Sequence, residues 1–305
     1  MAKRQTIEIE GRKIALSNLE KILYPSGFTK GQVIDYYVRV SRFILPHLKD
    51  RPVTLIRFPD GVGSKHFYEK NAPKFTPEWV RTFPVPRREG GSAIRYIVIN
   101  DLATLVWCAN LAALELHSFL HRAPAIESPT AVVFDLDSGE GIDILQCAEV
   151  AFLLKESLER LKLESFPKVS GSKGIQLYVP LNTPVTYALT RPFARGLAER
   201  LEQQHGDLVV TEMSKRVRKR KVFIDWSQNS DFKTTVAVYS LRAKQDRPYV
   251  SLPVKWEELQ NVLAKGKAAP LYFDPETALK RIEEAGDLFA AVLKHKQKLA
   301  DRELQ

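Results

Sequence analysis

Ala131-Val-Val-Phe-Asp-Leu-Asp137 and Val222-Phe-Ile-Asp-Trp226 are the two stretches on which the reading of this chain turns. Both are led by β-branched and aromatic residues, which favour a pleated, half-buried strand. Side chains alternate along a strand, so Asp135 and Asp137 project from the same face. Two carboxylates so placed repel each other unless a cation lies between them or one takes up a proton. A third acid, Asp225, closes the second stretch. Three acids on neighbouring strands have the chemistry to carry one or two divalent metals for in-line phosphoryl or nucleotidyl transfer. The Asp-x-Asp pair is weak by itself, because Asp also caps turns at strand ends, and Ser138-Gly-Glu-Gly141 reads as such a loop.

Around these stretches, strands and helices interleave, which predicts an α/β or α+β architecture. Ile7 to Leu16 reads as a hairpin turning at Gly11, and Ser17-Asn18 as the cap of a short helical piece ending near Tyr24. Thr29 caps a helix over Lys30–Leu48, and Asp101 caps a longer one running to about His117. Val53–Phe58 and Ile94–Ile99 are expected strands. Ile144–Leu163 and Thr190–Gln204 are expected helices. Pro167–Ser170 and Ile175–Pro180 form a strand pair around Gly171-Ser-Lys-Gly174. Val222–Trp226 and Thr234–Tyr239 are further strands, and a charged helical tail follows Pro275.

The 305 residues suffice for one large domain or two modest ones, and 44% hydrophobic with 10% aromatic residues are globular values. The net charge of +10 suits a polyanionic partner, nucleic acid first. Cys108 and Cys147 fall in apolar stretches, as buried thiols of a reducing cytoplasm do. No Cys/His spacing fits zinc. The most apolar stretch, Tyr96–Leu116, is interrupted by Asn100, Asp101, Asn110 and Glu115, so no membrane span is expected.

Other clusters bear on phosphate chemistry. Ser170-Gly-Ser-Lys-Gly174 offers glycines, hydroxyls and an ammonium suited to phosphate, although it lacks the P-loop spacing and also reads as an ordinary hairpin. Lys215-Arg-Val-Arg-Lys-Arg-Lys221 sets six cations in seven residues just before Asp225, as a solvated loop or as a guide for a nucleic-acid backbone. Phe67 and Tyr68 offer rings for base stacking or for the core.

Taken in order, these residues resemble the polymerase domain of bacterial non-homologous end-joining ligase D, of the archaeo-eukaryotic primase superfamily. The likeness rests on Asn18-Leu-Glu-Lys-Ile-Leu-Tyr-Pro25, Arg57-Phe-Pro-Asp-Gly61, Phe67-Tyr-Glu-Lys70, Asn100-Asp-Leu-Ala-Thr-Leu-Val-Trp107 and Ala113-Leu-Glu-Leu-His117. It continues through Phe134-Asp-Leu-Asp-Ser-Gly-Glu-Gly141, Ser170–Gly174, Asp225-Trp-Ser-Gln-Asn229, Lys233-Thr-Thr235 and Tyr239-Ser-Leu-Arg242. The resemblance implies a primase-type catalytic core with two β-sheets flanking an active cleft and helices outside. Residues 1–265 would form this domain: about 1–120 for 5′-phosphate and template contacts, about 121–265 for catalysis. Residues 266–305 would be a charged helical extension.

It implies roles as well. Asp135, Asp137 and Asp225 would be the metal triad, with Mn2+ or Mg2+. His117, Ser172, Lys173, Gln176 and Arg242 would hold the incoming NTP or dNTP. Lys21 and Lys30 would take a DNA 5′-phosphate, and Phe67, Tyr68 and Arg218 would contact the template. The implied activity is gap filling, with ribonucleotides often preferred, at double-strand break ends. The implied partners are gapped DNA, Ku and a DNA ligase, in the bacterial cytoplasm near the nucleoid. Gln176 stands where the family usually has His, Tyr68 replaces a frequent Phe, and Val238 a common Pro. Two other readings stay open: a non-catalytic DNA-end synapsis module, and a primase needing no primer. A glycosyltransferase using Asp-x-Asp with manganese fits neither the lysines nor the basic excess.

Overall fold

The strand expected from the Asp-x-Asp stretch is Ala131–Ser138, inside a six-stranded sheet of a computed structural model that describes residues 4–87 and 89–299. The chain divides into two compact units. The first takes residues up to Pro124 with Thr234–Val250 and Asp274–Glu284. The second takes Ala125–Lys233, Ser251–Phe273 and the chain from Ala285. Residues 300–305, the end of the expected C-terminal extension, lie outside the described residues.

The second unit is built on the sheet Val209–Val210, Val222–Asp225, Ala131–Ser138, Gly174–Pro180, Phe166–Val169, Leu252–Pro253, in that order. The pairings are antiparallel except that of Val209–Val210 with Val222–Phe223. Val132, Val133, Phe134 and Leu136 are all fully buried, so this strand is covered on both faces up to the acids. The helix Ile144–Arg160 packs on it through Ile144, Cys147, Ala148, Ala151, Leu154 and Leu158, a stripe at helical spacing. Asp143 caps that helix with Gln146 in a reciprocal box. Each buried Leu or Ile contributes roughly 1.5–3 kcal/mol, so the scaffold beneath the acids is stiff.

The first unit has its own sheet, ordered Thr235–Val236, Ala113–Ser118, Pro52–Arg57, Ile94–Val98, Thr82–Val85, with Phe67–Glu69 also paired to Pro52–Arg57. Its helix Lys30–Leu48 starts as expected, Thr29 and Gln32 forming a capping box, and buries Val33, Tyr37, Val40, Ile44 and Leu48. The N-terminal hairpin Arg4–Ile9 with Arg12–Ser17 turns at Glu10-Gly11, both at positive φ. Among the described residues no helix is long and apolar enough to cross a membrane.

Three expectations are corrected. The helix after Asp101 ends at Asn110, and Ala113–Ser118 is a strand that carries His117. Ala112 takes φ 57 between them, and from there the side chains alternate instead of following a helical stripe. Residues 18–24 form turns rather than a helix: Asn18 sits at φ 54, whereas an N-cap needs extended backbone. Of Thr234–Tyr239 only Thr235–Val236 is paired.

Candidate active site

Two ladders bring a polar row across the second unit's sheet. Asp225 is opposite Asp135, Asp135 is opposite Gln176, and Gln176 is opposite Lys168. Residues opposed in this way share a face, so the row runs acid, acid, amide, ammonium over four strands, and Asp137 lies on the same face two residues on. Asp135 is half-buried and Asp137 exposed. Burial, then the charges of Asp137 and Asp225, push the pKa of Asp135 up to about 8, against a hydrogen bond from Gln176 and the charge of Lys168. Lys168 is fully buried and donates to Ser251 Oγ at 2.6 Å.

Asp225 is held by the turn that follows it. Its Oδ1 accepts from the Ser227 N–H at 2.9 Å and from the Ser227 hydroxyl, and its Oδ2 accepts from Gln228 Nε2 at 2.9 Å. Lys233 bonds the Ser227 hydroxyl and stands 3.9 Å from Asp225 Oδ2. Donors of this kind fix the direction of the carboxylate. The set suits a hard divalent cation: carboxylate oxygens, and a crowding of negative charge that such a cation relieves. Among the described residues no three His, Cys, Asp or Glu side chains stand gathered as a ready-made metal cage. Both Asp225 oxygens are bonded within its own turn.

Two close backbone approaches frame the acids. A Cβ on Gly174, opposite Asp137, would come within 2.4 Å of Leu136 O. One on Gly139 would come within 1.7 Å of Arg218 O. Glycine at 139 therefore lets the basic run lie against the end of the acid strand, where Gly139 N–H donates to Lys221 O and Arg220 N–H to Glu140 O, at 2.9 and 2.8 Å. The guanidinium carbon of Arg218 sits 3.5 Å from the ring centroid of Phe223, itself opposite Asp137. At the hairpin tip Ser170 Oγ accepts from the Ser172 and Gly174 N–H groups, both at 3.3 Å. Ser172 is half-buried and the Lys173 side chain exposed.

In the first unit the strand Ala113–Ser118 aims Glu115 and His117 to one face. His117 Nε2–H donates to Glu115 Oε2 at 2.9 Å, the Ala243 N–H donates to Oε1 at 2.9 Å, and Arg242 Nε lies 3.4 Å from Oε2. Burial alone would raise the Glu115 pKa; the Arg242 charge and these bonds outweigh it and hold the group down to about 2. Glu115 is a site residue that the sequence expectations left without a role. Its signal was Glu-x-His on an alternating stretch, masked by the assumed helix.

Lys21 and Lys30 are also brought together: the Lys30 N–H donates to Lys21 O at 2.8 Å. Lys30 is buried, and its ammonium donates to Ser17 O at 2.6 Å. Burial first, then the charges of Lys21 and Arg57, lower its pKa to about 8. Lys21 pairs with Asp60 at 2.8 Å. Phe67 and Tyr68 are 45% and 60% exposed, so neither is a core ring. Lys65 lies 5.7 Å over Phe67, and His66 packs edge-on to Tyr68.

Known proteins resemble this chain over most of its length. Residues 29–289 match the family model for the LigD primase-polymerase domain. The multifunctional non-homologous end joining protein LigD of Mycolicibacterium smegmatis is 40% identical over 281 residues, 91% of this chain and 36% of that protein. The bifunctional LigD of Bacillus subtilis is 35% identical over 276 residues, 90% of this chain and 43% of that protein. The chain thus spans less than half the length of either. The polymerase domain from Mycobacterium tuberculosis ligase D, solved in complex with DNA, matches with a TM-score of 0.85 at 38% identity, over 93% of this chain and 99% of that one.

Proposed function

We propose, because this chain belongs to the LigD primase-polymerase domain family, that it is a template-directed nucleotidyltransferase. It would add nucleotides, ribonucleotides by preference, to 3′ ends at short gaps and double-strand breaks during non-homologous end joining. The observation that carries this reading is the opposition of Asp225 and Asp135 across a ladder, with Asp137 on the same face and the pKa of Asp135 lifted by burial and then by both acids. Such a set calls for positive charge.

Asp135, Asp137 and Asp225 would hold the divalent ions, Mn2+ or Mg2+. The chemistry supplied there would be positive charge that lowers the pKa of a primer 3′-hydroxyl and offsets charge on departing pyrophosphate. The chain's own groups set the conditions. Ser227 and Gln228 keep the Asp225 carboxylate aimed. Gln176 donates to Asp135, which stabilises its carboxylate form. Ser172 and Lys173 at the hairpin tip, and His117 with Arg242, would serve as triphosphate contacts, Glu115 orienting the latter two. Lys21 and Lys30 would receive a 5′-phosphate, whose charge would offset the cost of burying the Lys30 ammonium. Phe67, Tyr68 and Arg218 would meet template, and Ku and a DNA ligase would be partners in a bacterial cytoplasm.

The test is extension on gapped duplex with Mn2+ or Mg2+, comparing ribo- and deoxyribonucleotides and 5′-phosphate with 5′-hydroxyl gaps. Wild type extends, and Asp137→Ala binds DNA but does not. Wild-type protein that binds gapped DNA without extending it with either metal defeats the reading. It would leave the synapsis module, which Gln176 in place of the family His favours. The same assay without primer separates gap filling from priming.

A further inference from the structure

Val222–Asp225 pairs with the acid strand only as far as Asp225 opposite Asp135. The chain then leaves the ladder through the turn Trp226–Gln228. A continuing antiparallel partner would next exchange an N–H and a C=O with Val133, whose backbone groups point to the same edge as those of Asp135. Here a side chain takes that place. The Val133 N–H donates to Asn229 Oδ1 at 2.9 Å, and Asn229 Nδ2 donates to Val133 O at 2.7 Å. The same nitrogen donates to Trp226 O at 2.8 Å. Asn229 is 0% exposed.

A carboxamide carries the donor and acceptor of a peptide group. Asn229 therefore adds one rung to the ladder after the backbone has turned away, and closes the five-residue turn Asp225–Asn229 on itself. Ser227 and Gln228 grip the Asp225 carboxylate; Asn229 grips the frame on which it rides. We propose that Asn229 is a positioning residue for the acid site, fixing the spacing between Asp225 and the Asp135–Asp137 pair, and through it the affinity for divalent cation. This rests on the polymerase reading only for the consequence in catalysis; the frame role stands on the hydrogen bonds.

The experiment uses the whole chain and three proteins: wild type, Asn229→Ala, and Leu158→Ala. Leu158 is a fully buried residue of the Ile144–Arg160 helix in the same unit, so its truncation serves as a control for stability loss. Mn2+ binding is measured by calorimetry, and kcat and KM in gap filling are followed against Mn2+ concentration. Asn229→Ala should weaken Mn2+ binding about tenfold, as loss of a group orienting metal ligands does. It should raise the Mn2+ needed for half-maximal kcat and leave KM for gapped DNA unchanged. Leu158→Ala should keep Mn2+ affinity within about twofold.

Unchanged affinity in folded Asn229→Ala, or an equal loss in Leu158→Ala, overturns the proposal. If Asn229→Ala does not fold, Asn229→Ser, which keeps a polar group short of Val133, is read by the same criteria. If wild type neither takes up Mn2+ nor extends primers, the polymerase reading fails instead. A crystal structure of the variant then decides the frame role: a displaced Asp225 turn sustains it, and an unmoved Asp225–Asp135 pair refutes it.

Discussion

Replacing Asp135 with Asn should stabilise the metal-free protein at pH 8. The carboxyl lies among groups that push its pKa from the ordinary 3.8 to about 8, burial being the largest and the charges of Asp137 and Asp225 next. Between those two values the folded chain binds a proton that the unfolded chain releases. Stability therefore falls as pH rises from about 4 to about 8, the reverse of a salt-bridged aspartate. Taken at 1.36 kcal/mol per pH unit, the full displacement would cost about 6 kcal/mol. The side chain retains some solvent contact, and screening leaves roughly 1–2 kcal/mol of that. Asn has nearly the same shape and no charge to lose.

Urea unfolding in EDTA at pH 5 and pH 8 measures the effect. Wild type and Asp135→Asn should differ little at pH 5, with the variant ahead by about 1–2 kcal/mol at pH 8. Saturating Mn2+ should then reverse the order, because an ion at a hundred times its Kd adds about 2.7 kcal/mol to wild type only. If the variant is no more stable than wild type at pH 8 without metal, the acids do not crowd one another. The electrostatic case for a cation site would then be lost.

Three further outcomes are expected. Glu115→Gln removes the charge that Arg242 and His117 face and should cost about 3 kcal/mol. With a folded pKa of about 2 against 4.5, Glu115 stabilises wild type above pH 4.5 and progressively less as pH falls toward 2, a dependence the variant should lack in acid denaturation. Preference for 5′-phosphate over 5′-hydroxyl gaps, measured by fluorescence anisotropy, should fade between pH 7 and pH 9 as Lys30, with its pKa near 8, loses its proton in the free protein; a flat ratio would count against Lys30 as a phosphate contact. Gln176→His should raise kcat/KM for nucleotide about fivefold, since a charge-assisted bond exceeds a neutral one by roughly 1 kcal/mol, and equal kinetics would show that charge at this position is idle.

The parts of the fold legible in sequence were those fixed by local chemistry. Thr29 announced a helix start because an N-cap acts within one turn, and Gln32 proved to be its reciprocal partner. Gly11 announced a hairpin because glycine takes positive φ without steric cost, and it does so there with Glu10. The acid strand was legible because Val132 to Phe134 favour strand whatever surrounds them. Leu102 to Leu116 misled because an apolar run fits a buried helix and a buried strand alike; only the alternation of Leu114 and Leu116 with Glu115 and His117 marked the change. Lys168 and Asn229 had no local signature. One gains meaning from the register of two ladders, the other from a strand that stops early, and neither is a property of nearby sequence.

The same row gives the departure at Gln176 a physical sense. Three carboxylates, Asp135, Asp137 and Asp225, face the ammonium of Lys168 across the ladders and that of Lys233 beside Asp225. With all three ionised, as above pH 8 or with a cation bound, the formal charges sum to minus one. An imidazolium between Asp135 and Lys168 would bring the sum to zero and would sit next to a buried cation that repels it. Gln176 gives Asp135 a hydrogen bond without adding charge, so the residual negative charge remains available to attract a divalent ion. The two effects of Gln176→His therefore oppose each other. Better contact with the triphosphate should come with a higher Mn2+ requirement, most evident near pH 6, where the imidazole is protonated. An equal Mn2+ requirement in both proteins would show that the charge at position 176 does not reach the acids.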